Sequence, residues 1–271
     1  MQETAPLSST GIGPRTWFRR IGALGALLAL IILGASILLR LTSVLDPQGH
    51  ASSTLAAPLE QAIRLLHRLC ASGVALLALC AVVLCWKQRK AAPPRMTQAV
   101  LWIVAATLIL ALIGPLTPGY RLAGVTVVNV LCGVLLLLSF WWLRESAAPG
   151  SVAGPPLEAF SWVAMVALLL QVGTGAAASA WAMHAVHWPA RVHLASALLC
   201  LILVGVVLLD QRSKRAPDGR RWVVGLLLSG QFLLGYLLMW QEQRSITLSF
   251  FHAMLAPLLA GALVSLLRRQ S

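Results

Sequence analysis

Charge is what this sequence has least of. Only 11% of its 271 residues are charged, less than half of the roughly 25% usual in a soluble domain. Acidic residues are the scarcest, with eight Asp and Glu against 21 Lys and Arg. A chain with 59% hydrophobic residues and mean hydropathy +0.83 has little polar surface to offer water, so lipid is its expected solvent. Cysteine is also limited to five residues, Cys70, Cys80, Cys85, Cys132 and Cys200, all inside apolar runs. No two of them share a loop, so neither a disulfide framework nor a CxxC zinc site is readable. No A-x-A cleavage pattern follows the apolar run 21–39, which is also longer than a typical signal core. That argues for a retained first helix, with Arg19-Arg20 as its anchor.

The net charge of +13 would suit a nucleic-acid binder, but its distribution excludes one. The basic residues form short clusters between long apolar runs, the pattern by which membrane proteins set their topology. A helix needs about 20 apolar residues to cross the hydrocarbon. Eight runs qualify, near 20–40, 61–86, 97–115, 121–143, 157–180, 190–210, 221–240 and 246–267. The expected fold is therefore an all-α polytopic membrane protein of eight transmembrane helices. The stretch 144–158, RESAAPGSVAGPPLE, is the clearest linker. It divides the chain into an N-terminal four-helix half, 1–150, and a C-terminal half, 151–271. If the N-terminus is cytoplasmic, fifteen of the 21 basic residues fall inside and six outside (Arg40, Arg64, Arg68, Arg121, Arg191 and Arg244). This positive-inside bias places both termini in the cytoplasm.

Three of the six histidines lie within spans: His67 in helix 2, His193 in helix 6 and His252 in helix 8. Ionisable groups inside a membrane are costly and usually functional. Each lies within about two turns of the outer end of its helix, so the three share one depth. His193 follows His67 by 126 positions, and His252 follows Asn129 of helix 4 by 123. Those near-equal offsets describe parallel repeats related by an axis along the membrane normal. The odd helices echo one another as well, with Gln171-x-x-x-Gly175 in helix 5 and Gln231-x-x-x-Gly235 in helix 7. The glycines are expected to serve close helix packing. His50, His184 and His187 fall in outer loops and read as solvated, with His187 the best outsider as a transient ligand.

Histidines from neighbouring helices at one depth suit the axial positions of an iron porphyrin, whose propionates would reach interfacial arginines. Arg64, Arg68 and Arg191 each lie within three residues of a histidine, and an arginine fork grips a carboxylate well. Snorkelling to the interface is the alternative for all three. Zinc or copper is the rival metal, though structural zinc usually wants four ligands, often with cysteine. The histidines could instead only bond to neighbours.

The sequence resembles the heme A synthase family, in order and over nearly its whole length. The motifs that carry the resemblance are GASILLRLT at the end of helix 1, His67-Arg68-Leu69 in helix 2 and LLLQVGTGA in helix 5. His193, GQFLLGYLL in helix 7 and FFHAMLAPLLAGAL with His252 complete it. The resemblance implies oxidation of the C8 methyl of heme O, the substrate, to the formyl of heme A. It implies His193 and His252 as ligands of a heme b iron, with the substrate heme in the N-terminal half and His67 at its reacting end. It further implies a bacterial plasma membrane, heme sites toward the outer side, and work in cytochrome oxidase assembly beside the heme O synthase (protoheme farnesyltransferase). The electron donor and any homo-oligomer are left open. This chain departs from the family at Asn129, where a histidine is usual, at Arg64, where a catalytic glutamate is usual, and at Leu194, where an arginine is usual. Glu60, two turns from His67 on the same face, is a substitute for that glutamate or simply a first-turn acid after Pro58. A heme on His67 alone keeps an open position for oxygen. The other reading of these losses is a noncatalytic heme b protein that handles heme or carries electrons. Cys132, one turn below Asn129, reads as a small buried residue, and a transporter would want midplane polar sites instead.

Overall fold

The computed structural model describes residues 13–45, 51–90, 92–117, 122–148, 159–182, 188–214, 219–241 and 245–268. Within them lie α1 (Pro14–Leu41), α2 (Ala57–Lys87), α3 (Pro94–Ile113), α4 (Ala123–Ser146), α5 (Ala159–Ala182), α6 (Trp188–Lys214), α7 (Gly219–Met239) and α8 (Ile246–Arg268). All eight are long and apolar enough to span a membrane. Prolines open several of them: Pro14, Pro58 and Pro94 stand in the first turns of α1, α2 and α3. There the missing N–H has no helical partner to lose and the fixed φ favours the helix. Between α3 and α4, Gly114–Leu116 forms one 3-10 turn around Pro115.

One local expectation needs correction. The linker begins later than 144, because Arg144, Glu145 and Ser146 complete the last turn of α4. The connection from α1 to α2 also holds a short antiparallel hairpin, β1 (Ser43–Leu45) with β2 (Ala51–Ser53), in an otherwise helical chain. Val44 and Leu45 favour extended backbone. The Asp-Pro-Gln-Gly sequence at 46–49 carries turn formers. Thr54 extends the pairing by donating its backbone N–H to the Thr42 carbonyl at 2.8 Å.

The packing repeats between the halves. In the first half α1 packs on α2 and α4, and α3 on α2 and α4; in the second, α5 packs on α6 and α8, and α7 on α6 and α8. The halves meet through α4 with α5, α4 with α8, and α1 with α8. Burial follows the same repeat. Half of the span is buried in both α1 and α5 (50% each) and slightly less in α4 and α8 (44% each). In α2, α3, α6 and α7 the share is 22%, 22%, 17% and 11%. Thus α1, α4, α5 and α8 form the centre, while the other four helices carry most of the lipid-facing leucines. The core gathers Leu33, Leu137, Phe140, Leu168, Leu259 and Leu263 from those four central helices. Near the ends of α4 and α8, Trp141 packs against Gly261 and its indole N–H donates to Ser265 Oγ at 2.7 Å.

Candidate functional site

In the C-terminal half the helices pack in a ring, α5 to α6 to α7 to α8, and α6 and α8 stand diagonally with hardly any backbone contact. His193 on α6 and His252 on α8 bridge that diagonal. Their ring centroids are 6.2 Å apart and their planes nearly perpendicular, at 86°. Both are only partly exposed.

Each ring is seated by the preceding helix in the same way. A Cβ added to Gly175 of α5 would stand 2.9 Å from His193 Cε1, and one added to Gly235 of α7 would stand 3.0 Å from His252 Cε1. The two glycines therefore make room for imidazoles, not for a helix backbone as their spacing suggested. One turn earlier stand Gln171 and Gln231. Gln171 Nε2 lies 3.4 Å from His193 Nε2, and Gln231 Nε2 lies 3.5 Å from His252 Nε2. His252 Nδ1 is 3.1 Å from the backbone carbonyl of Gln231. A carbonyl only accepts, so Nδ1 carries the proton and Nε2 keeps a lone pair. That is how a histidine is held ready to bind a metal through Nε2.

Around His193 the bonds close into a circuit. With Nδ1 protonated as in His252, it donates to Thr174 Oγ1 at 3.2 Å, and Thr174 donates to Ser196 Oγ at 2.9 Å. Ser196 donates to Gln171 Oε1 at 2.5 Å, and the Gln171 amide returns to His193 Nε2. The second hairpin lacks the hydroxyls. Leu234 and Leu255 occupy the places of Thr174 and Ser196. Gln231 Oε1, buried from solvent, has no hydrogen-bond partner among the described residues.

The pair fits a heme iron. Two imidazoles on opposite faces of one metal, with metal–nitrogen bonds of about 2 Å, place their ring centroids about 6 Å apart. The two histidines rise from two hairpins, α5–α6 and α7–α8, and α6 and α7 pack only loosely on each other. A cavity of about 430 Å³ opens there, lined by Leu201, Ser229, Phe232, Leu233 and Tyr236. That volume lies within the roughly 300–1,000 Å³ of ligand pockets. Among the described residues no cluster of three or more His, Cys, Asp or Glu exists.

The N-terminal half is not built the same way. His67 on α2 and Asn129 on α4 are partly buried, and neither makes a hydrogen bond among the described residues. Glu60, Arg64 and His67 share one face of α2, but the first two are occupied with each other. Arg64 Nε donates to Glu60 Oε1 at 2.7 Å, and Nη2 closes the ion pair at 2.5 Å. Arg68 and Arg191 are exposed, Arg191 in the first turn of α6 just before His193. Cys132 is buried in α4 as a free thiol. His50, His184 and His187 lie outside the described residues.

Sequence reasoning located the histidines and missed what holds them. The signal was present, since the same Gln-x-x-x-Gly motif precedes each histidine by nearly equal distances, 22 residues from Gln171 to His193 and 21 from Gln231 to His252. Thr174 and Ser196 carried no such signal, because hydroxyls in helices commonly bond their own backbone.

No protein-family model matches the chain, and no curated protein matches it.

Proposed function

We propose that this chain is a membrane heme protein of the heme A synthase type, acting on heme O to form heme A. The observation that carries this reading is the His193–His252 pair, presented across one bundle by two like-built Gln–Gly–His hairpins. In it His193 and His252 would hold heme b, whose iron supplies one-electron chemistry when bound. Gly175 and Gly235 make room for the two rings, Gln171 and Gln231 orient them, and the Gln231 carbonyl keeps His252 Nε2 unprotonated. The outer arginines are the candidates for propionates, with Arg68 and Arg191 better placed than Arg64, whose guanidinium is already engaged by Glu60. With the positive-inside orientation this end of the helices would face outward, and on the heme A synthase reading the membrane would be a bacterial plasma membrane. Heme O would occupy the N-terminal half beside His67.

A second reading has its own support. His67 has no hydrogen-bonded partner among the described residues, and Glu60 is tied to Arg64. An N-terminal half without its acid and second ligand leaves a heme b protein that handles heme or carries electrons without modifying it. Replacing His193 and His252 separately with alanine tests what the two readings share. Each variant should insert into the membrane but lose the low-spin b-type spectrum, and retention of that spectrum by both would reject the site. Supplying heme O, oxygen and an electron donor to the intact protein separates them, since only the first reading yields heme A.

A further inference from the structure

The two imidazoles look equivalent by position, yet their surroundings treat loss of a metal differently. A buried histidine released from iron leaves an Nε2 lone pair that needs a donor. At His193 the donor is ready. The Gln171 amide turns to Nε2, and every other polar atom of the circuit is used, through Ser196 and Thr174. At His252 the same cap leaves Gln231 Oε1 buried and unpaired. Leu255 takes the place of Ser196, with its side chain packed toward Gly230. An orphaned buried acceptor raises the free energy of the unbound arrangement by an amount comparable to a lost hydrogen bond.

Space is distributed to the same effect. An apolar cavity of about 510 Å³ lies among α4, α5 and α6. Thr174, which bonds the His193 ring, and Val192, the residue before His193, both line it, with Leu131, Leu169 and Trp188. A small uncharged molecule dissolved in lipid would find its reservoir on the His193 side.

We propose that His193 is the exchangeable axial ligand of the C-terminal heme and His252 the permanent one, with Gln171 as the built-in cap for the displaced imidazole. This rests on the heme reading above. It assigns the α6 face as the place where a small, neutral, iron-binding molecule such as carbon monoxide enters. Ser196 acts through Gln171, and Thr174 through Ser196 and the His193 ring; both are positioning residues.

The test is the affinity of the reduced, heme-loaded protein for carbon monoxide, read from its absorption spectrum. Binding must displace one histidine, so it reports the cost of leaving that histidine free. Gln171→Leu removes the cap and should weaken carbon monoxide binding about tenfold, the scale of one buried hydrogen bond. Gln231→Leu, beside the histidine that stays bound, should weaken it less than Gln171→Leu does. Ser196→Ala, which changes little volume, should weaken it in the same direction by a few-fold and guards against a misfolded Gln171 variant. If Gln231→Leu has the larger effect, or if both Gln171→Leu and Ser196→Ala match the parent, the assignment is overturned while the heme reading stands. A parent with no heme, or with heme already high-spin, overturns the bis-histidine reading and this inference together.

Discussion

His193 and His252 face each other at 6.2 Å between ring centroids, from two helices that hardly touch. Neither helix could place its histidine alone. The rings reach across the bundle diagonal because α5 and α7 each offer a glycine where any side chain would block them.

Gly175→Ala and Gly235→Ala test that placement. Each new methyl would stand about 3 Å from a histidine Cε1, tighter than ordinary contact, so the ring must tilt or the helices part. Overpacking of this kind costs about 1–3 kcal/mol. Heme loss, followed by transfer to apomyoglobin, should accelerate about tenfold or more in either variant, with membrane insertion unchanged. Retention equal to the parent would mean that the glycines do not seat the ligands.

Glu60 and Arg64 make the next test. Their ion pair is half exposed on the arginine side, so it contributes only about 0.3–0.5 kcal/mol to stability. Glu60→Gln should therefore leave thermal unfolding nearly unchanged. On the enzymatic reading it should cut heme A formation about 100-fold, the usual scale of a proton-transfer group. Arg64→Gln would free the carboxylate and should not abolish turnover. Full activity in Glu60→Gln would remove Glu60 from the reaction.

Asn129→His restores a second imidazole opposite the His67 helix. If heme binds in the N-terminal half through His67, its spectrum should shift toward low spin in this variant, and the C-terminal heme should not change. An unaltered spectrum in heme-loaded protein would place the N-terminal heme elsewhere or show that none binds.

The joint between the halves is testable without heme. Ser265 accepts the Trp141 indole N–H, and its backbone carbonyl accepts from Arg220. Ser265→Ala removes the first bond, together with the long 3.4 Å bond from Ser265 Oγ to Glu145 Oε1, and keeps the second. It should lower stability by about 1 kcal/mol, visible as a lower melting temperature in detergent. No change would assign the contact to packing around Gly261 alone.

The sequence displayed the eight spans clearly because lipid imposes a length and a composition on each of them. It also exposed the histidines, since ionisable groups stand out against apolar runs, and the offsets between His67, Asn129, His193 and His252 showed the repeat. Pairings were harder to read. Glu60 and Arg64 sit four residues apart, a spacing that favours an ion pair on a helix, but separate roles were expected for them. The Gln–Gly motifs were visible, yet whether a glycine faces a helix or an imidazole depends on how α5 turns toward α6, which one helix cannot disclose. The β1–β2 hairpin was hidden for the same reason, being two short segments that mean little until they pair.

The central claim is that two histidines of the C-terminal half hold a heme. Its most direct test is the absorption spectrum of the purified full-length protein, with its heme extracted and identified by chromatography. The account predicts a low-spin b-type spectrum in the parent, heme b in the extract, and loss of both in the His193→Ala, His252→Ala double variant. Parent protein that is folded and inserted but carries no heme, even after heme is supplied, would contradict it.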